Sequence, residues 1–331
     1  MQIPLWFEVG SMVTITLILV ADIYLAFKRP HIPTTRECAI WISFYVGLAL
    51  VFAAALWAIG DANHAGEFLA GWLTEYSLSV DNLFVFLLIM ARFKVPRHNQ
   101  QELLMIGIVL ALVFRGVFIL LGAALIEQFS WIFYIFGAFL LYTAIRQATG
   151  DEDSDVEETN RAINWIRARL SITEEFHGAK LRVTVDGVRV FTPVILVVIA
   201  LGTTDVIFAL DSIPAIFGIT QVAFLVFAAN VFALMGLRQL YFLLGDLVER
   251  LVYLKYGIAA ILAFIGVKLF LHAMHENEVA FINGGEPFDW APEIPVWLSL
   301  AFIVAAMTVA VLASLVTLSK HPAHSLPVDK D

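Results

Sequence analysis

Charged side chains and cysteine are both scarce in this chain, and each shortage excludes broad classes of protein. Only 15% of the residues are charged while 60% are apolar, whereas about a quarter of an ordinary soluble domain is charged. This apolar excess is too large for one globular core and indicates a polytopic membrane protein. The single cysteine, Cys38, excludes an internal disulfide framework, a structural zinc site and a cysteine-bound iron–sulfur cluster.

A basic surface and the signatures of nucleotide chemistry are missing as well. The formal net charge of −9 leaves no basic face for nucleic acid. No P-loop, GxGxxG or Ser/His/Asp arrangement is present, and no histidine lies in the middle of an apolar stretch, where a haem ligand would be needed. We therefore expect neither an enzyme nor a bound cofactor.

Nine apolar stretches are each about long enough to cross a bilayer as a helix. They lie at 6–27, 39–60, 72–91, 103–126, 130–149, 192–217, 221–245, 254–272 and 294–318. Lysine and arginine accumulate in cytoplasmic loops. Seventeen of the twenty fall in one set of alternate loops, none in the other set, and three inside spans. This distribution predicts an N-terminus outside the cell and a C-terminus in the cytoplasm.

The spans divide the chain into four regions, which are 1–149 with five spans, a cytoplasmic loop at 150–191, 192–318 with four spans, and a tail at 319–331. In the loop, the acidic run 151–158 is interpreted as a solvated linker, with cation gathering near a pore mouth as the alternative. Residues 160–170 predict an amphipathic helix at the membrane surface. Alternation around Asp186 and Gly187 predicts a β-hairpin.

Two segments of three spans each, at about 72–149 and 192–272, resemble one another. Both contain an acid followed six residues later by aspartate, and then an arginine ahead of an aromatic residue and a glycine. The matched pairs are Glu75 with Asp205, Asp81 with Asp211, and Arg115 with Arg238. Because three is an odd number, the second copy is inverted, as in many secondary transporters. We predict an all-α membrane protein with a 3+3 inverted repeat.

Polar residues inside these spans point to an ion path. A carboxylate at membrane depth costs ~3 kcal/mol and usually serves a function, and sites with only oxygen donors favour hard divalent cations. The residues predicted to bind metal are Glu75, Asp81, Asn82, Asp205, Asp211 and Ser212. Further candidates are Asp22, Thr204 and the carbonyl group of Leu210.

The spacing of the acids leaves alternatives open. Residues six apart lie ~9 Å apart along a helix, so one helix presents both acids to one ion only if it is broken. Pro214 could supply such a break, or antiparallel helices could each contribute one acid to a midplane site. In the structural alternative, Arg115 and Arg238 merely neutralise Asp81 or Asp211. Asn230 is interpreted as a packing residue.

The stretches SLSVDNLFVF and TTDVIFALDSIPAIF closely resemble the two hallmark motifs of the TerC family of integral membrane proteins, in particular its Alx-type branch. FSWIFYIFGAFLLYTAIR, FALMGLRQLYFLL and VADIYLAFKR are similar to that family as well. The resemblance implies a bacterial inner-membrane protein that exports manganese, a link to tellurium resistance, and kinship with the LysE-type exporters. The family commonly has a glutamate three residues before the aspartate of the second motif, where this chain has Gly202.

We therefore expect a secondary transporter in the bacterial inner membrane that exports divalent cations, above all Mn²⁺, in exchange for protons. Its expected partners are the metal ion, protons and the lipid bilayer, and not nucleic acid, while the oligomeric state stays open. The alternative is a non-transporting membrane scaffold for stress response or membrane-protein assembly. An electron-transfer subunit is disfavoured by the missing ligands.

Overall fold

The computed structural model describes residues 3–28, 33–129, 131–149, 172–173, 175–185, 188–244, 253–277, 279, 282–288 and 290–320. The acidic run at 151–158 and the predicted amphipathic helix at 160–170 lie outside the described residues, as does the tail from 321 onwards. The side chains of Asp81 and Asp211 lie outside them too, although the backbone of both residues is helical.

The described chain forms ten α-helices and one two-stranded sheet. In chain order, the helices are α1 (Leu5–Lys28), α2 (Thr35–Ile59), α3 (Ala62–Arg92), α4 (Arg97–Gln128), α5 (Ile132–Thr149), α6 (Val194–Phe217), α7 (Ala223–Leu234), α8 (Leu237–Leu244), α9 (Leu254–His275) and α10 (Val296–Lys320). Within this part of the chain, nine helical segments are long and apolar enough to cross a membrane, with α7 and α8 counted as one. The predicted all-α polytopic fold is confirmed.

Helix α3 begins ten residues earlier than the sequence predicts, because a polar residue caps it beyond the apolar stretch. The Asp61 carboxylate accepts a hydrogen bond from the backbone N–H of His64 at 2.9 Å and lies 2.8 Å from the His64 ring. The backbone hydrogen bond, followed by the contact with the ring, lowers the pKa of Asp61 to about 2. Counting apolar residues does not detect a cap of this kind.

Helices α3 and α6 run antiparallel. The start of α6, at Val194 and Val197, packs in one apolar cluster with Phe86 and Met90 near the end of α3. The end of α6, at Phe217, packs in another cluster with the first turns of α3. We call the end of the bundle at which α3 ends at Arg92 and α6 begins the basic end.

The predicted break at Pro214 is wrong, and a break occurs elsewhere. Helix α6 continues through Pro214 to Phe217, because proline removes one donor while the N–H of Gly218 still donates to the Pro214 carbonyl. The seventh span is instead divided into α7 and α8 at Gly236, where φ is +86°. An added Cβ there would lie 3.1 Å from the Tyr45 ring. Glycine therefore fits this position both because of its positive φ and because of the close approach of Tyr45.

Packing between the two predicted copies follows a reciprocal pattern. Helix α3 packs extensively against α7 and α4 against α6, while α5 packs against α9. A twofold relation between the copies would exchange the first two contacts and leave the third unchanged. The inverted repeat itself stays a prediction.

The β-hairpin lies against the basic end of the bundle. Strands β1 (Arg182–Val185) and β2 (Val188–Phe191) pair antiparallel on either side of residues 186–187. Two apolar side chains that precede the hairpin, Ile172 and Phe176, pack on the cluster formed by α3, α4 and α6. The described part of the loop therefore covers this end of the helices.

Candidate functional site

Three charged side chains from three helices meet in the interior of the bundle. Glu75 of α3, Arg115 of α4 and Asp205 of α6 are each at most 3% exposed. The guanidinium of Arg115 donates a hydrogen bond from Nη1 to Glu75 Oε2, and its Nε lies 3.9 Å from Asp205 Oδ1. One buried cation thus contacts an acid from each of the two predicted repeats.

Two asparagine side chains complete the cluster. With its amide oriented to satisfy both neighbours, Asn82 accepts a hydrogen bond from Arg115 Nη2 at 3.1 Å and donates one to the Leu78 carbonyl at 3.1 Å. Asn230 of α7 donates from Nδ2 to Glu75 Oε2 at 3.3 Å. The interpretation of Asn230 as a packing residue is therefore wrong, because its amide contacts the central acid.

The hydrogen-bonding capacity of the cluster is only partly used. Glu75 Oε1, Asp205 Oδ2 and Arg115 Nε are buried and have no hydrogen-bond partner among the described residues. Ser212 Oγ lies close to the Glu75 carboxylate, but without a well-aligned hydrogen bond. Because buried polar atoms nearly always have partners, the two carboxylate oxygens, Glu75 Oε1 and Asp205 Oδ2, are suited to receive a ligand.

The described side chains contain only part of the predicted set of metal ligands, since those of Asp81 and Asp211 are not among them. Among the described side chains, no group of three histidine, cysteine, aspartate or glutamate residues could hold a metal ion. The predicted ligands Asn82 and Ser212 are buried at the cluster, and Thr204 is buried one position before Asp205. The Leu210 side chain is exposed, so only its carbonyl, opposite Pro214, stays a candidate ligand.

The other two predicted acids lie on either side of this cluster along the helices. Asp81 is six residues beyond Glu75 on α3, and Asp211 is six residues beyond Asp205 on α6. Six residues correspond to a rise of ~9 Å. Because α3 and α6 are antiparallel, Asp81 is displaced towards the basic end and Asp211 towards the opposite end.

The second predicted charge partner, Arg238, lies in another polar group. It is half-buried on α8 and interacts electrostatically with Tyr45 and Cys38 of α2. Asp22 of α1 also lies beside the Tyr45 hydroxyl. The two arginines that match in the repeat thus have different surroundings.

A cavity of about 350 Å³ opens at the end of the bundle opposite the basic end, and we call it the vestibule. Its walls come from the start of α3, the segment between α6 and α7, the end of α9 and the residues before α10, and include Glu67, Phe217, Thr220, Lys268, His272 and Glu293. The Thr220 hydroxyl donates to Glu67 Oε2 at 2.7 Å. The lining thus combines two acidic residues, Glu67 and Glu293, with one basic residue, Lys268.

Sequence analysis missed both Asn230 and the vestibule. Asn230 is a polar residue in α7, whose other eleven residues are apolar and mostly buried, and that isolation was a usable signal. The vestibule is formed by residues far apart in the chain, such as Glu67 and Glu293, so no local pattern indicates it.

Comparison with known proteins gives one family match. Residues 60–321 match the model of the integral membrane protein TerC family. The matched part of the chain includes helices α3 to α10. No solved structure matches the chain.

Curated relatives are similar over most of the chain. The uncharacterized membrane protein Rv2723 of Mycobacterium tuberculosis is 45% identical over 314 residues, which cover 92% of this chain and 79% of the relative. A protein of Escherichia coli K12 with the name "Putative membrane-bound redox modulator Alx" is 41% identical over 285 residues, which cover 83% of this chain and 88% of the relative. The protein with the same name from Photorhabdus laumondii is 40% identical over 275 residues, or 81% of this chain and 86% of the relative.

Proposed function

Since the chain belongs to the TerC family of integral membrane proteins, we propose that it is a secondary transporter that exports divalent cations, above all Mn²⁺, in exchange for protons. The observation that supports this function best is the buried cluster, in which two carboxylates from different predicted repeats have unpartnered oxygens. Ionisable residues at membrane depth usually mark ion pathways. Carboxylate, amide and hydroxyl oxygens are the ligands that Mn²⁺ accepts.

The order of the acids along the helices also supports an ion path. Going from the basic end, α3 carries Asp81 and then Glu75, which lies at the level of Asp205. On α6, Asp211 follows Asp205 by six residues, and Phe217 on the wall of the vestibule follows six residues later. Acids spaced ~9 Å apart would let a cation pass in steps towards the vestibule. Export requires the basic end to face the cytoplasm.

The names of the Alx relatives suggest a different role, as a modulator of redox state, and a non-transporting scaffold is the other alternative. Neither role by itself requires acids and an arginine in the interior of a membrane bundle, where their insertion is costly. Coupling to an ion gradient accounts for uphill transport, because the sequence has no nucleotide-binding motif.

We expect Mn²⁺ to accumulate in inside-out vesicles that contain the protein, faster than in vesicles without it. Parallel measurements with Ca²⁺, Mg²⁺ and Zn²⁺ would give the selectivity, which the oxygen ligands predict to favour hard cations over Zn²⁺. Uptake equal to that of protein-free vesicles for all four ions would favour the scaffold alternative.

Export of Mn²⁺ is expected to strengthen as the pH on the cytoplasmic face rises from mildly acidic to alkaline. Carboxylates must lose their protons to bind a metal ion, so protons and metal compete for the site. Initial rates in vesicles at a fixed Mn²⁺ concentration measure this dependence. A flat profile would remove the proton-coupled version of the proposal and leave metal transport intact.

For the orientation in the inner membrane, we expect tags at the C-terminus and at Glu158 to be cytoplasmic and a tag at Gly284 to be external. The asymmetry of lysine and arginine between the loops is the reason, and Gly284 lies between α9 and α10, at the vestibule end. Labelling by a reagent that cannot cross the membrane distinguishes the two sides. Protection of a Gly284 tag in intact cells would contradict the orientation.

A further inference from the structure

The central cluster already contains a cation of its own. The Arg115 guanidinium is 1% exposed and lies between the carboxylates of Glu75 and Asp205. With both acids ionised, the three side chains carry a net charge of −1. Arg115 therefore supplies the positive charge that acids at membrane depth require.

A transported dication and Arg115 in this arrangement compete for the same two carboxylates. A cation coordinated by both acids would lie about 2.0–2.6 Å from their oxygens. The guanidinium is hydrogen-bonded to Glu75 Oε2 and lies 3.9 Å from Asp205 Oδ1, whereas Glu75 Oε1 and Asp205 Oδ2 are the oxygens without a hydrogen-bond partner among the described residues. An ion held between the two carboxylates would therefore lie close beside the guanidinium. At that separation, repulsion between them is strong at any effective protein dielectric constant.

Within the described part of the chain, the Arg115 side chain has one partner besides the two acids. Asn82, two turns beyond Glu75 on α3, accepts a hydrogen bond from Nη2 at 3.1 Å. Asn82 is a neutral partner, and it lies on the side of the cluster towards the basic end. The Nε of Arg115 has no hydrogen-bond partner among the described residues. On leaving the acids, the guanidinium gives up the hydrogen bond to Glu75 and the approach to Asp205, and it can keep the hydrogen bond to Asn82.

From these contacts, we propose that Arg115 is a tethered counter-cation that occupies the site in the resting state and is displaced towards Asn82 when the transported divalent cation binds Glu75 and Asp205. This inference rests on the proposed function and adds an internal competitor to it. The two acids and the guanidinium carry a net charge of −1, whereas the two acids and a dication are neutral together. The arginine thus sets the affinity of the site for its cargo.

The test compares Mn²⁺ binding by purified full-length protein in detergent, measured by equilibrium dialysis in mildly alkaline buffer. Arg115→Ala removes the competitor, so it is expected to bind Mn²⁺ at least ~10-fold more tightly than the wild type, because no positive charge has to leave the two acids before the ion binds. Arg115→Lys keeps a positive charge on the tether and serves as the matched control, with an affinity close to that of the wild type.

Free guanidinium ion provides a second measurement on the same proteins. It should compete with Mn²⁺ in Arg115→Ala, where it can occupy the position of the missing side chain, and not in the wild type. If Arg115→Ala does not fold, Arg115→Gln replaces it, since glutamine can still contact Asn82 and Glu75; only the affinity comparison is then used.

The outcomes separate this inference from the proposed function. If folded Arg115→Ala, or Arg115→Gln in its place, binds Mn²⁺ no more tightly than the wild type, the role proposed for Arg115 is overturned. The proposed transport function is not affected by that result. Absence of competition by guanidinium in folded Arg115→Ala overturns it as well. Absence of binding of any divalent cation to the wild type and to every variant overturns the proposed function and this inference together.

Discussion

Glu75→Gln is expected to abolish Mn²⁺ transport and to lower the amount of folded protein. Glutamine removes the charge that offsets dehydration of a divalent ion. It also removes the direct ionic partner of Arg115, and the side chains of both residues are buried. Breaking a buried ion pair by removing one partner costs about 3–5 kcal/mol, because the other charge stays uncompensated. Metal flux in vesicles and thermal unfolding in detergent measure the two effects separately.

A second substitution separates the metal site from the ion pair. Glu75→Gln with Arg115→Gln removes both charges, so the double variant should regain much of the lost stability without regaining transport. Glu8→Gln, which changes an acid in the first turn of α1, is the matched control and should leave both quantities near wild type. Restored transport in the double variant would contradict a role for Glu75 in binding the cation.

Asp205→Asn provides a contrast within the same cluster. Its carboxylate lies 3.9 Å from Arg115 Nε, which is longer than a hydrogen bond, whereas Glu75 is hydrogen-bonded to the guanidinium. We therefore expect the same loss of transport with a smaller loss of stability. Equal losses of stability for the two variants would indicate that Asp205 and Glu75 support Arg115 to the same degree.

The nine spans were predictable from the sequence because long apolar stretches are conspicuous and the bilayer sets their length. The position of the central acids was predictable for a similar reason, since a carboxylate stands out against an apolar helix such as α6. The partners were not predictable. Sequence gives the height of Arg115 along α4, but its contact with Glu75 depends on the rotation of α4 about its axis and on packing against α3.

Two departures from the sequence interpretation concern where the helices break. The break at Gly236 depends on a positive φ and on the approach of the Tyr45 ring, both of which arise from tertiary packing. The absence of a break at Pro214 depends on hydrogen bonds that resume within one turn. Glycine and proline therefore indicate where a helix can break, whereas the contacts and hydrogen bonds of the folded chain decide whether it does.

The contact between α5 and α9 is expected to be especially sensitive to side-chain size. A Cβ added at Gly137 would lie 2.7 Å from Phe270 Cδ2 and 2.9 Å from the carbonyl oxygen of Gly266. A backbone atom cannot move aside without moving its helix, so the helices must separate. Small residues permit this close approach in membranes, where packing rather than exclusion of water holds helices together.

Gly137→Leu should therefore lower the thermal stability of the purified protein strongly, by about 3 kcal/mol, which is the upper part of the usual range for overpacking. Gly47→Leu in α2 is the matched control, because a Cβ added at Gly47 meets nothing within 4 Å. Gly266→Leu should resemble Gly137→Leu, since its added Cβ would lie 3.1 Å from the Gly137 carbonyl oxygen. If Gly137→Leu unfolds at the same temperature as the Gly47→Leu control, the close approach of α5 and α9 is contradicted.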